Sequence, residues 1–80
     1  MGLRFVEILM EVEDRFSVRI PDAQAQKIVT VGDLYALVCS LGGRQPPDPE
    51  AWVDLRDLIA SMMEAEPDDI RPETPLSDLD

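Results

Sequence analysis

The chain has no histidine, a single cysteine (Cys39) and only two Phe, one Tyr and one Trp in 80 residues. Without histidine there is no His-based triad, no haem histidine and no side chain whose unperturbed charge changes near neutral pH. One cysteine excludes an internal disulfide framework and a multi-cysteine zinc site. Cations are scarce as well: 7 Lys and Arg stand against 17 Asp and Glu, a formal charge of −10. Nucleic acid and anionic membrane surfaces both need cations opposite them, so a protein with a basic patch is the natural counterpart. No apolar run approaches the ~20 residues that span a bilayer, and the N-terminus lacks the apolar stretch of a signal peptide. Met1-Gly2 opens like a myristoylation signal, but Val6 stands where that signal takes Ser or Thr. A chain this short makes one domain and buries about 60% of its unfolded surface. These absences lead us to expect a soluble, cytoplasmic, acidic domain.

Four zones of punctuation divide what remains: Pro21-Asp22, Thr30 to Asp33, Gly42 to Pro49, and the tail from Glu66 with Pro67, Pro72 and Pro75. Leu3 to Phe16 reads as a helix. At ~100° per residue its apolar residues (Leu3, Phe5, Val6, Ile8, Leu9, Met10, Val12, Phe16) cover a broad arc. Glu7, Glu11 and Asp14 share the opposite stripe, flanked by Arg4 and Arg15. Ser17 to Ile20 alternates like a strand but ends at a proline after four residues, which predicts an extended loop. A short helix fits Pro21 to Gln26, with Asp22 as its cap. Thr30 is the expected N-cap of the next helix, with Asp33 at capping-box spacing. Leu34, Leu37, Val38 and Leu41 give that helix its apolar face, and Gly42 its stop. Asp48-Pro49 opens the last long helix, capped by Asp48 with proline at the first helical position. Trp52, Leu55, Leu58, Ile59, Met62 and Met63 form its apolar arc; Asp54, Asp57 and Ser61 form its polar face. Ile70, Leu76 and Leu79 recur through the proline-rich tail as pegs that pack it onto a bundle. The sum is an all-α bundle of three main helices and one short one.

Catalytic machinery is not evident. Ser17, Ser40, Ser61, Ser77, Thr30, Thr74 and Cys39 have no histidine to act as base, and Cys39 lies on an apolar-rich helix where a thiol is buried and inert. The carboxylates are surface-patterned, without the cleft that paired acid and base groups need. Asp68-Asp69 lacks a ligand loop of calcium-binding spacing. We therefore expect no enzyme, no catalytic residue and no metal. The acidic stripe of the first helix stands out instead. Glu7 and Glu11 are like charges at i,i+4, which mildly destabilises a helix. Leu3, Val6 and Met10 border the stripe and are either core or the apolar rim of an adaptable contact patch.

At this point the sequence resembles a known family. Leu3-Arg4-Phe5-Val6-Glu7-Ile8-Leu9-Met10, running on through Glu11-Val12-Glu13-Asp14-Arg15-Phe16, is similar to the second helix of acyl carrier proteins. That helix typically reads Leu-Asp-x-Val-Glu-Leu-Val-Met before acidic residues and Phe. Val18-Arg19-Ile20-Pro21-Asp22 resembles the family's Ile-x-Ile-Pro-Asp, and Lys27-Ile28-Val29-Thr30-Val31-Gly32-Asp33-Leu34 its Lys-Ile-x-Thr-Val-x-Asp-Leu. The likeness runs without a gap from Leu3 to about Leu41. Trp52 to Met63 resembles the family's first helix. Pro67-Asp68-Asp69-Ile70-Arg71-Pro72-Glu73-Thr74-Pro75-Leu76-Ser77-Asp78-Leu79 resembles the loop after it. In a carrier protein this second stretch comes first.

The resemblance implies an acyl-carrier-protein-like four-helix bundle in circularly permuted order. Residues 1–41 stand for family helices two to four, 42–50 for a joining linker, and 51–80 for helix one and its loop. Domain termini usually lie close together, and about nine residues can extend ~30 Å at ~3.3 Å each, so the join is feasible. The rival arrangement is a dimer whose two chains exchange halves. Carriers attach phosphopantetheine to the Ser of Asp-Ser-Leu at the start of the second helix. Met1, Gly2 and Leu3 occupy those positions here, and Gly2 has no hydroxyl. The expectation is therefore no phosphopantetheine arm, with Ser77 as the weaker alternative attachment point. What carries over is the family's docking of an acidic second helix to basic surfaces of biosynthetic or modifying enzymes. Glu7, Glu11, Asp14, Leu3, Val6 and Met10 are the expected partner-binding residues. Arg4 and Arg15 depart from the family's usual acids. The implied setting is fatty-acid, polyketide or peptide-type biosynthesis, with docking worth more in rate and specificity than in affinity. The competing readings are a functional carrier and a structural or swapped-dimer protein with no enzyme partner.

Overall fold

Helix periodicity and helix caps account for most of the observed elements. A computed structural model describes residues 3–45 and 48–76, with the side chains of Leu3 and Arg4 outside the description. Among the described residues there are α1 (Leu3–Phe16), α2 (Asp22–Ala25), α3 (Val31–Leu41), α4 (Pro49–Met63) and a 3-10 turn (Pro67–Asp69). This is the all-α bundle of three main helices and one short one. Ser17 to Ile20 is a loop, as its length and the following proline predict.

The N-termini of α3 and α4 are closed by side chains. Thr30 Oγ1 accepts from the Asp33 N–H at 3.1 Å while the Asp33 carboxylate accepts from the Thr30 N–H at 3.1 Å and the Val29 N–H at 3.0 Å. Asp48 accepts from the Ala51 N–H at 3.2 Å, with Pro49 in the first helical position. These bonds satisfy donors that a helix start leaves open. The short α2 differs from expectation. Pro21, not Asp22, is its N-cap, and no side chain caps it. The Pro21 carbonyl accepts from both Gln24 and Ala25 at 2.9 Å, and proline's preset φ leads directly into the turn. The approach is held by Glu13, whose carboxylate accepts from the Ile20 N–H at 2.7 Å.

The three main helices end alike, in a left-handed turn. Residues Ser17 (φ 55°), Gly43 (φ 73°) and Glu64 (φ 55°) are left-handed. Beyond each, an N–H reaches back into the helix: Val18 to Glu13 at 3.1 Å, Arg44 to Cys39 at 2.7 Å, Ala65 to Ala60 at 2.9 Å. This is the Schellman closure. Gly42, expected as the stop of α3, has φ −87° and needs no glycine freedom; Gly43 supplies it.

The core is drawn from the whole chain. Phe5, Ile8 and Val12 of α1, Val31, Leu34 and Val38 of α3, and Leu55 and Ile59 of α4 are buried with Ile20, Ala25, Ile70 and Leu76. Helix α4 packs against α1, α3 and the 3-10 turn. Cys39 is fully buried. Ile70 and Leu76 act as the expected pegs; Leu79 lies outside the described residues. Between them the tail straps the entry to α3. The N–H groups of Val31 and Gly32 donate to the carbonyls of Thr74 (2.9 Å) and Pro72 (2.8 Å), and the Leu76 N–H donates to Val29 (2.9 Å). A Cβ on Gly32 would sit 2.8 Å from the Pro72 carbonyl oxygen, so only glycine allows this approach.

Candidate docking surface

Helix α1 carries more apolar surface than the core can cover. Phe5, Ile8 and Val12 point inward and are buried, whereas Val6 is 45% and Met10 61% exposed. Val6 and Met10 are therefore not core. Glu7, Glu11 and Asp14 are exposed beside them. Among the described residues no ion pair or hydrogen bond engages these three carboxylates. Arg15, the cation nearest in sequence, instead reaches Asp54 of α4 at 3.6 Å.

The rim borders a cleft of about 370 Å³ between α1, the loop before α2, and α2 itself. Val6, Leu9, Met10, Ile20 and Ala25 make its apolar wall; Glu13, Asp22 and Gln26 supply polar atoms. Its size falls at the small end of ligand pockets, room for a protruding side chain or a short chain. The sequence-predicted residues Glu7, Glu11, Asp14, Val6 and Met10 come together on one surface. The Leu3 side chain, Gly2 and Ser77 lie outside the described residues. The cleft residues from the loop and α2 were not foreseen. Only the packing of α2 beside α1 makes them neighbours, and no local pattern signals it.

Two aspartates titrate low for structural reasons. The backbone N–H groups of Val29 and Thr30 hold the Asp33 carboxyl below the ordinary aspartate range. The Ala51 N–H, with Arg44 nearby, does the same to Asp48. Both are helix caps remote in role from the acidic stripe. Among the described residues no group of three or more His, Cys, Asp or Glu is placed to hold a metal ion, and no helix is long and apolar enough to cross a membrane.

Helix α1 is thus acidic and solvent-facing, with exposed Val6 and Met10 and a cleft at its side. Over 37 residues the chain is 56% identical to the acyl carrier proteins of Helicobacter pylori strains G27 and HPAG1. It is 53% identical over the same length to that of strain J99. The matched residues are 46% of this chain and 47% of each relative, so the chain spans about half the length of the curated relatives it matches. No protein-family model and no solved structure matches. The partial likeness and the all-helical bundle are both in keeping with an acyl-carrier-like helical bundle.

Proposed function

We propose that the chain is an acyl-carrier-like domain, its helices in permuted order, that works by docking to enzymes of fatty-acid, polyketide or peptide-type biosynthesis. It is not itself an enzyme, and it carries no phosphopantetheine arm, because Gly2 stands where the family has its serine. The observation that carries the docking reading is the exposed Glu7, Glu11 and Asp14 stripe beside exposed Val6 and Met10. Unpaired like charges on a helix cost stability, so their retention is accounted for by a cation that arrives with a partner. Charge steers the encounter with a basic enzyme surface. The apolar rim and cleft then supply the short-range contact that fixes orientation.

Two measurements test this. Intact mass after incubation with a broad-specificity phosphopantetheinyl transferase should be unchanged. A gain of one phosphopantetheine would make the protein a loaded carrier, and peptide mapping would show whether Ser77 holds the arm. Binding to carrier-dependent enzymes with basic surfaces should fall with added salt and with Glu7→Lys and Glu11→Lys. Salt-insensitive binding, unchanged in these variants, would remove electrostatic docking.

A further inference from the structure

The core is divided between two stretches that meet through side-chain packing and hydrogen bonds. Residues 3–41 contribute Phe5, Ile8, Val12, Leu34 and Val38; residues 49–76 contribute Leu55, Ile59, Ile70 and Leu76. Among the described residues the polar ties between them include the strap bonds from Val29, Val31 and Gly32 to the tail and the Arg15–Asp54 pair. Tyr35 adds another. Its hydroxyl accepts from the Asp48 N–H at 2.7 Å and donates to the Asp48 carbonyl at 3.3 Å, and its ring meets Trp52 edge-on at 5.6 Å. None of these depends on an unbroken backbone between Gln45 and Asp48.

The connector is itself fastened at both ends. On the α3 side, the Arg44 N–H closes the left-handed turn onto Cys39 at 2.7 Å. Its guanidinium lies 6.0 Å over the Phe16 ring and reaches the Asp48 carboxylate at 3.2 Å. On the α4 side, Asp48 is held by Tyr35 and caps the helix. Each end keeps its position through contacts of its own.

We infer that residues 49–76 are a separable binding partner for residues 3–45: cut within the connector, the two pieces remain one native body. The interface is the domain's own core, an apolar face of α1 and α3 that receives α4 and the strap. This stands apart from the docking reading and does not rest on it.

The test keeps the full chain. A protease recognition sequence is inserted between Gln45 and Pro46, where every described contact is left intact, and the folded protein is cleaved. The cut protein is expected to elute with the uncut one, to keep its helical circular dichroism at micromolar concentration, and to show an unfolding midpoint that rises with concentration. Leu55→Ala in the cut protein should weaken association by roughly thirtyfold or more. Pieces that elute apart with loss of the helical signal would overturn the inference. Should that insertion prevent folding, the same recognition sequence flanked by longer glycine-serine spacers at the same position is cut instead and read by mass and elution.

Discussion

Helices α1 and α4 pack against each other, yet they treat their surfaces in opposite ways. Beyond Glu50 in its first turn, the exposed acids of α4 are matched locally: Asp54 pairs with Arg15 at 3.6 Å and Asp57 with Arg56 at 3.3 Å. Those of α1 are not, and α1 adds Met10 at 61% exposure to its outer face while α4 exposes Val53 at 40%. Inside, the two are alike, each burying two or more large side chains in one core. The difference teaches that a charge count does not locate a docking face. Both helices are acidic and each has a cleft beside an exposed valine, but α1 sets three unmatched carboxylates beside Val6 and the more exposed Met10, where α4 sets Glu50 beside Val53.

The likeness inside is the easiest part to break. Ile8→Ala in α1 and Leu55→Ala in α4, both at about 1% exposure or less, should each cost about 2–5 kcal/mol in urea unfolding. A loss confined to one of them would mean that the core is not shared. The outer contrast comes next. Glu7→Lys with Glu11→Lys should slow association with a basic partner by roughly tenfold or more at low salt, whereas Asp54→Lys with Asp57→Lys should change it far less. Equal effects of the two pairs would reduce the comparison to net charge.

A smaller effect separates the helix starts. Asp48 caps α4, whereas α1 has no acid in its first turn. Because the folded Asp48 carboxyl is held below its unfolded value, its contribution is present at neutral pH and down to about pH 4. It is lost as pH falls through the depressed folded value, and Asp33 behaves in the same sense. Asp48→Ala should lower stability in urea unfolding at pH 7 and flatten part of the acid decline. An undiminished acid slope in Asp48→Ala would place that decline elsewhere.

The smallest effect concerns what the two helices share. Both end in a left-handed residue that is not glycine, Ser17 after α1 and Glu64 at the end of α4. Ser17→Gly and Glu64→Gly should each stabilise by up to about 1 kcal/mol, read as a higher thermal midpoint. A loss of stability in either would show that its side chain contributes something the turn does not.

Local chemistry made much of the fold legible. The 3.6-residue repeat marked three helices, and Thr30 with Asp33 and Asp48 with Pro49 marked two helix starts, because a cap is a bond within four residues. The acidic stripe on α1 followed from the same periodicity. The cap of α2 and the left-handed ends at Ser17 and Glu64 did not, since proline, serine and glutamate are poor signals for those roles and the turns form where packing directs the chain. Gly32 read as punctuation, but its need comes from the Pro72 carbonyl, forty residues away in sequence.

By itself, then, the sequence determined which stretches coil, where two of the helices begin, and that the molecule is acidic without histidine chemistry. Tertiary structure alone decided which part of α1's wide apolar arc is core. A helix can bury only the side its neighbours cover. Here α4 and the rest of the core take Phe5, Ile8 and Val12 and leave Val6 and Met10 to solvent beside a cleft that α2 completes.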